Sequence, residues 1–323
     1  MPPGDKENVI PWFTHAIRDL PAYIPGPDMG TDERCMAWIH DELGRSVGLP
    51  EVLGGIPLDE LGATGFGLAV AAEVAADALE VLSLAGARVA IQGFGADGAH
   101  VARFLAQRGA PIVAVSDRGG GLADPAGLPL DELVAWKASG HSVVGFGRGT
   151  VGPSEAPLAV ECDILVPAAR PDAITDANVE GIKARVVLEG ANIPVTARAE
   201  AVLHERGVLC LPDRNVNAGG LICAAIEFDG RARTEAFDRI ETQIRANTAA
   251  VLDRALGEAR MPRAVAEEMA LARVADATAL RRRFPAPGLL RSGAWVSSCP
   301  RGSEGEGSGR GEDLTAVVAA VQS

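Results

Sequence analysis

Hydrophobic and polar positions divide the chain into three regimes. From about residue 5 to 60, helical patterns alternate with Gly/Pro turns. From about 62 to 228, short apolar runs alternate with helical patterns: RVAIQGF (88–94), PIVAVSD (111–117), CDILVPA (162–168), ARVVLEGA (184–191) and GVLCLPD (207–213). Such alternation predicts an α/β, doubly wound, parallel-rich sheet covered by helices. From about 234 to 283 two long amphipathic helices follow, the first marked by Phe237, Ile240, Ile244, Val251 and Leu252. After Pro285 the pattern dissolves into SSCPRGSEGEGSGRGED, which has nothing to bury and predicts a disordered tail. The expected division is a helical segment over 1–60, a sheet domain over 61–230, C-terminal helices over 231–285 and a tail over 286–323.

Charge and composition narrow the function classes. A net charge of −13 argues against nucleic acid or an anionic membrane as partner. The apolar stretch GLAVAAEVAADALEVLSLAGARVAI is interrupted by Glu73, Asp77 and Glu80, so it is not expected to span a membrane. The start, MPPGDKENVI, lacks the basic and apolar regions of a signal peptide. Cys35, Cys162, Cys210, Cys223 and Cys299 form no CxxC or zinc spacing, and they read as reduced thiols of a cytoplasmic protein. The histidines show no ligand spacing, so no metal site is expected.

Candidate chemistry begins at GFGADG: Gly93, Phe94, Gly95, Ala96, Asp97 and Gly98. This G-x-G-x-x-G follows a predicted strand and precedes a predicted helix, the context of a dinucleotide fingerprint. Gly93 allows the tight turn, Gly95 lets backbone approach a pyrophosphate, and Gly98 lets helix and strand pack closely. The helix start supplies N–H donors and a positive dipole to the phosphates. Asp117 ends the next strand, 19 residues beyond Gly98, where a carboxylate would hold the adenosine ribose. Asp117 favours NAD, and the adjacent Arg118 leaves NADP open.

Four further polar turns fall at predicted strand ends or helix starts: GATGFG (62–67), PAARPDAITDAN (167–178), EGANIP (189–194) and NVNAGG (215–220). They bring Thr64, Ala168, Asn192 and Asn217 to the side of the sheet where a crevice is expected. A nicotinamide carboxamide needs a donor and an acceptor, which each Asn amide can supply. A different feature is PGPDMGT, in which Pro25 and Pro27 stiffen a turn carrying Asp28.

Together PGPDMGTDERCMAW, LGATGFG, VAIQGFGADG, AVSD, VLEGANIPVT and VNAGGL resemble the glutamate, leucine, phenylalanine and valine dehydrogenase family over roughly residues 5 to 283. The resemblance implies a Rossmann-type nucleotide domain, a segmented substrate domain and C-terminal helices. It implies NAD(P)-dependent oxidative deamination of an L-amino acid to a 2-oxo acid and ammonia. Asp28 matches the family's acid/base carboxylate, and Thr64, Asn192 and Asn217 match positions near the nicotinamide. The family's partner lysines precede the helix that here reads NVIPWFTHAIRDL, and Lys6, Lys137 and Lys183 match none of them. Residues 1–60 are therefore expected to be a remnant of a substrate domain without its lysine-bearing part, and a homo-oligomer is expected once that part is supplied. Ala224 stands where glutamate-specific members carry a serine that contacts substrate. The alternative function is a truncated or degenerate, non-catalytic dinucleotide-binding protein of the same family.

Overall fold

The computed structural model describes residues 3–28, 30–79 and 82–280. In chain order its elements are α1 (Pro3–Ala16), α2 (Glu33–Leu43), α3 (Leu58–Leu61), α4 (Ala63–Ala78), β1 (Val89–Gln92), α5 (Ala96–Gln107), β2 (Ile112–Asp117) and β3 (Gly120–Ala123). There follow α6 (Leu130–Ala138), β4 (Thr150–Gly152), β5 (Ile164–Pro167), β6 (Val186–Leu188), α7 (Ala197–Glu205), β7 (Leu209–Leu211), α8 (Asp213–Val216), α9 (Gly219–Phe228), α10 (Arg233–Gly257) and α11 (Pro262–Ala279). The expected tail over 286–323, like Cys299, lies outside the described residues.

Contacts divide the chain into two units. One holds residues 57–223 and 233–266; the other holds residues up to 56, 224–232 and those from 267 onward. Residues 233–266, part of the C-terminal helices expected over 231–285, cluster with the sheet.

The larger unit is a seven-stranded sheet in the order β4-β3-β2-β1-β5-β6-β7. Strands β2, β1, β5, β6 and β7 run parallel to one another, and their apolar runs are buried on both faces. This is why they read as continuous hydrophobic stretches rather than alternating ones. The two strands missing from the sequence expectation, β3 and β4, pair antiparallel beside β2. Their sequences, GGLA and TVG, are too short and too poor in branched residues to signal a strand, and the ladder to β2 specifies them.

Helix α4 is the central packing element of this unit. Its Ala and Gly residues are almost all buried, and α5 and α10 lie against it. Phe66 meets Phe104 of α5 edge-on at 5.3 Å and Phe237 of α10 at 5.0 Å. Glu73 accepts from Arg108 at 2.7 Å and Arg245 at 2.6 Å, tying the three helices together. On α10, Ile240, Ile244, Val251 and Leu252 are buried, as their spacing predicts. Cys162, Cys210 and Cys223 are buried free thiols.

The smaller unit packs α1 on α2 around Ile10, Cys35, Met36 and Ile39. Asp32 caps α2 by accepting from the Cys35 amide, and Gly44 ends that helix at φ +66°. Glu227 of α9 accepts from the Gly48 and Leu49 amides at 2.6 and 3.0 Å. Burial raises its pKa.

Candidate functional site

Neighbours of β1 lie on opposite sides in chain order, β2 on one side and β5 on the other, so the crevice of a doubly wound sheet opens where β1 and β5 end. Gly93 turns there at φ +101°, and a Cβ on it would sit 2.8 Å from the backbone of Ala168 and Ala169. The Ala168 amide donates to the Gln92 carbonyl at 2.7 Å, closing the crevice floor. Amides of Gly93 and the buried Phe94 donate to the Ser116 carbonyl at the end of β2.

The three fingerprint glycines occupy different environments. A Cβ on Gly98 would lie 1.8 Å from the Gly93 carbonyl oxygen, so the first turn of α5 closes on the strand only without a side chain. A Cβ on Gly95 would meet nothing within 4 Å. Gly95 therefore borders open space at the N-terminus of α5, the cradle a pyrophosphate requires. Asp97 is exposed in the same turn.

The motifs around Thr64, Asn192 and Asn217 converge. A Cβ on Gly219 would come within 2.2 Å of the Ala63 carbonyl, and one on Gly220 within 2.9 Å of Thr64 Oγ1. The NAGG glycines thus let the starts of α9 and α4 touch. Asn217 Nδ2 donates to Asn192 Oδ1 at 3.0 Å. That bond uses one donor and one acceptor of the pair, and the Asn192 amide nitrogen and Asn217 amide oxygen supply the complement of a carboxamide.

Asp117 is held by more partners than the sequence indicates. Oδ2 accepts from Lys137 Nζ at 2.6 Å and the Val143 amide at 3.0 Å; Oδ1 accepts from Ser142 Oγ at 2.7 Å and the Gly119 amide at 2.9 Å. Burial works to raise its pKa, but Lys137, Ser142 and the two amides hold it down at about 2. Lys137 was not foreseen as its partner because the two are 20 residues apart, on β2 and α6.

Asp28 stands in the smaller unit, exposed, just before α2. Its amide donates to Thr31 Oγ1, and its carbonyl accepts from both the Thr31 amide and the Thr31 hydroxyl. Val47 donates to the Pro25 carbonyl behind it. The turn is a fixed mount, as the two prolines predict. All three lysines have carboxylate neighbours: Lys6 lies 4.0 Å from Asp32, Lys137 binds Asp117, and Lys183 lies 3.3 Å from Glu161. Ala224 is half-buried on α9.

One cluster has no counterpart in the sequence motifs. Arg263, in the first turn of α11, meets Glu189 at 2.6 Å, Glu200 at 2.6 Å and Asp213 at 3.3 Å, and all three acids are buried. Four elements supply the four residues, so no local spacing reveals the group. The available signal is an arginine directly after Pro262, the wrong charge for a helix start unless acids surround it. Burial pushes the Glu189 pKa up to about 7 against the pull of Arg263, with Asp213 adding repulsion. The folded chain holds this proton where the unfolded chain, with a value of 4.5, releases it. Stability should therefore fall as pH rises from about 4.5 to about 7 and level off above. Thermal melts across this range check it: Glu189→Gln should flatten the dependence, and an unchanged slope in that variant would assign it to another group.

A family model described as Glutamate/Leucine/Phenylalanine/Valine dehydrogenase matches residues 54–282. A glutamate dehydrogenase of Aeropyrum pernix is 39% identical over 270 residues, which cover 78% of this chain and 64% of that protein. An NADP-specific glutamate dehydrogenase of Saccharolobus shibatae is 38% identical over 64% of this chain and 50% of its own length. An NAD-specific one of Staphylococcus aureus is 40% identical over 64% and 51%. The chain thus spans between half and two-thirds of the length of these curated relatives. Among solved structures, a hetero-hexameric glutamate dehydrogenase from Thermus thermophilus, in a Leu-bound form, superposes with a TM-score of 0.77 at 31% identity, covering 88% of this chain and 71% of that one.

Proposed function

We propose that this chain, which belongs to the glutamate/leucine/phenylalanine/valine dehydrogenase family, binds a nicotinamide dinucleotide in the β1–β5 crevice and oxidises an L-amino acid to the 2-oxo acid and ammonia. The observation that carries this reading is the open space at Gly95, beside the closed contact at Gly98, at the N-terminus of α5. That is the local geometry a pyrophosphate needs, and the Asn192–Asn217 pair adds a carboxamide complement in the same unit. When bound, the dinucleotide supplies the hydride acceptor. The residues of the chain bind and orient it, and Asp28 moves protons during imine formation and hydrolysis. Ala168 borders the crevice floor, and Thr64 lies against the turn that carries Asn217.

The cofactor preference follows from Asp117. Its four hydrogen bonds occupy the oxygens that a ribose diol would need, and Lys137 neutralises its charge. Lys137, with Arg118 beside Asp117, suits a 2′-phosphate, so NADP should bind at least as well as NAD. Lys137→Met removes one cation and one of the two hydrogen bonds to Asp117 Oδ2. It should shift the ratio of the two affinities toward NAD by about tenfold, the worth of one charge-assisted hydrogen bond. Titrating both cofactors against both proteins measures this, and an unchanged ratio would remove Lys137 from cofactor selection.

The substrate class is an L-amino acid with its 2-oxo partner. The relatives named above are glutamate dehydrogenases, which makes glutamate the reference substrate. Ala224 offers no hydroxyl to a side-chain carboxylate, and a buried charge without a partner is costly. Leucine, valine and phenylalanine are therefore expected to compete with glutamate in an assay of dinucleotide reduction. A strong kinetic preference for glutamate would contradict this role for Ala224. The working assembly is proposed to be a homo-oligomer, acting in the cytoplasm.

A further inference from the structure

Asp213 connects the two asparagines. Its carbonyl accepts from the Asn217 amide at 2.9 Å, and its Oδ2 accepts from the Ile193 amide at 2.8 Å, one residue after Asn192. Ile193 sits at φ +47°, a left-handed conformation that a β-branched residue adopts only when its surroundings hold it there. The Asp213 amide in turn donates to Glu189 Oε2 at 3.1 Å, at the start of the same loop. Both ends of the loop 189–193 are therefore fastened to one residue.

Arg263 fastens that residue. Its Nη2 donates to both oxygens of Glu189 at 2.7 and 2.6 Å, its Nη1 to Asp213 Oδ1 at 3.3 Å, and its Nε to Glu200 Oε2 at 2.6 Å. A planar guanidinium can hold three carboxylates from three directions; an ammonium cannot do so with the same geometry. We propose that Arg263 is a positioning residue for the dinucleotide site: through Glu189 and Asp213 it holds the strained loop that pairs Asn192 with Asn217. This rests on the dinucleotide-binding function proposed above.

Arg263 faces Glu189 at the end of β6, Glu200 on α7 and Asp213 on α8, with the buried Cys210 thiol of β7 close enough that the acids push its pKa further up. One cation cannot neutralise three ionised acids. Glu189 accepts three hydrogen bonds here, two from Arg263 and one from the Asp213 amide, and these contacts tie the loop to the cluster.

The test is titration of the full chain with NAD and NADP. Arg263→Gln should weaken binding of the preferred cofactor by about tenfold or more, with Arg263→Lys in between. Adding Ile193→Gly to Arg263→Gln should recover most of the loss, because glycine adopts φ +47° without a clamp. Loss without recovery would show a merely structural arginine and overturn the proposal, as would a variant that binds like the wild type. If the wild type binds neither cofactor, the dinucleotide function itself falls, and this inference with it. Should Arg263→Gln fail to fold, the milder Arg263→Lys carries the decision. It should weaken binding severalfold, Ile193→Gly should recover that loss, and wild-type affinity or a loss without recovery would overturn the proposal.

Discussion

Gly95→Val will leave the chain folded and abolish dinucleotide binding, whereas Gly98→Ala will damage the fold itself. The two glycines are three positions apart in one turn, yet their surroundings are opposite. A Cβ at Gly95 meets nothing within 4 Å, so a valine there fills only the space in front of the α5 N-terminus. It blocks a pyrophosphate from reaching the helix amides, and the expected loss in affinity is on the order of a hundredfold, since these donors supply most of the phosphate contact. A Cβ at Gly98 lies 1.8 Å from the Gly93 oxygen and 2.9 Å from its carbonyl carbon. Backbone cannot yield as a side-chain tip does, so the β1–α5 turn must open, at a cost of about 3 kcal/mol. Chemical denaturation and cofactor titration on both variants separate the effects. Equal dinucleotide binding by Gly95→Val and the wild type would remove the fingerprint from the account.

Asp28→Asn should leave cofactor affinity unchanged and lower turnover by two to four orders of magnitude, roughly the contribution of a positioned acid/base group. The three hydrogen bonds with Thr31 engage the Asp28 backbone and survive the substitution. What changes is the ability to take and return a proton while water adds to the imine and ammonia leaves. Hydride transfer alone needs no such group. The variant should therefore affect kcat far more than the affinity for dinucleotide. Turnover equal to the wild type would assign the proton transfers to another residue.

The parts of this structure legible in the sequence are those whose residues act on near neighbours. The runs around Ile91, Val115, Val166, Val187 and Cys210 are apolar because both faces of the sheet bury them, and they announce five strands. Gly93, Gly95 and Gly98 announce the turn because its geometry is local. Strands β3 and β4 were silent: GGLA and TVG gain their conformation from hydrogen bonds to a neighbour, not from their own side chains. The same distinction runs through the site. Asn192 and Asn217 stood out by their glycine-rich turns, but their mutual hydrogen bond links residues 25 apart. The engagement of Asp117 by Lys137 and Ser142, and the convergence of Glu189, Glu200 and Asp213 on Arg263, are products of tertiary packing. A carboxylate at a strand end looks the same in a sequence whether a ribose or a lysine will use it.

Transfer of deuterium from the α-carbon of an amino acid to the nicotinamide ring tests the central claim most directly. The full chain is mixed with L-[2-²H]glutamate, or with deuterated leucine, valine or phenylalanine, and NAD or NADP. Mass spectrometry of the dinucleotide then follows the label. The account predicts reduced dinucleotide carrying one deuterium, formed in equal amount with 2-oxo acid and ammonia, and lost in Gly95→Val. Tight binding of dinucleotide with no label transferred from any of these amino acids would contradict it.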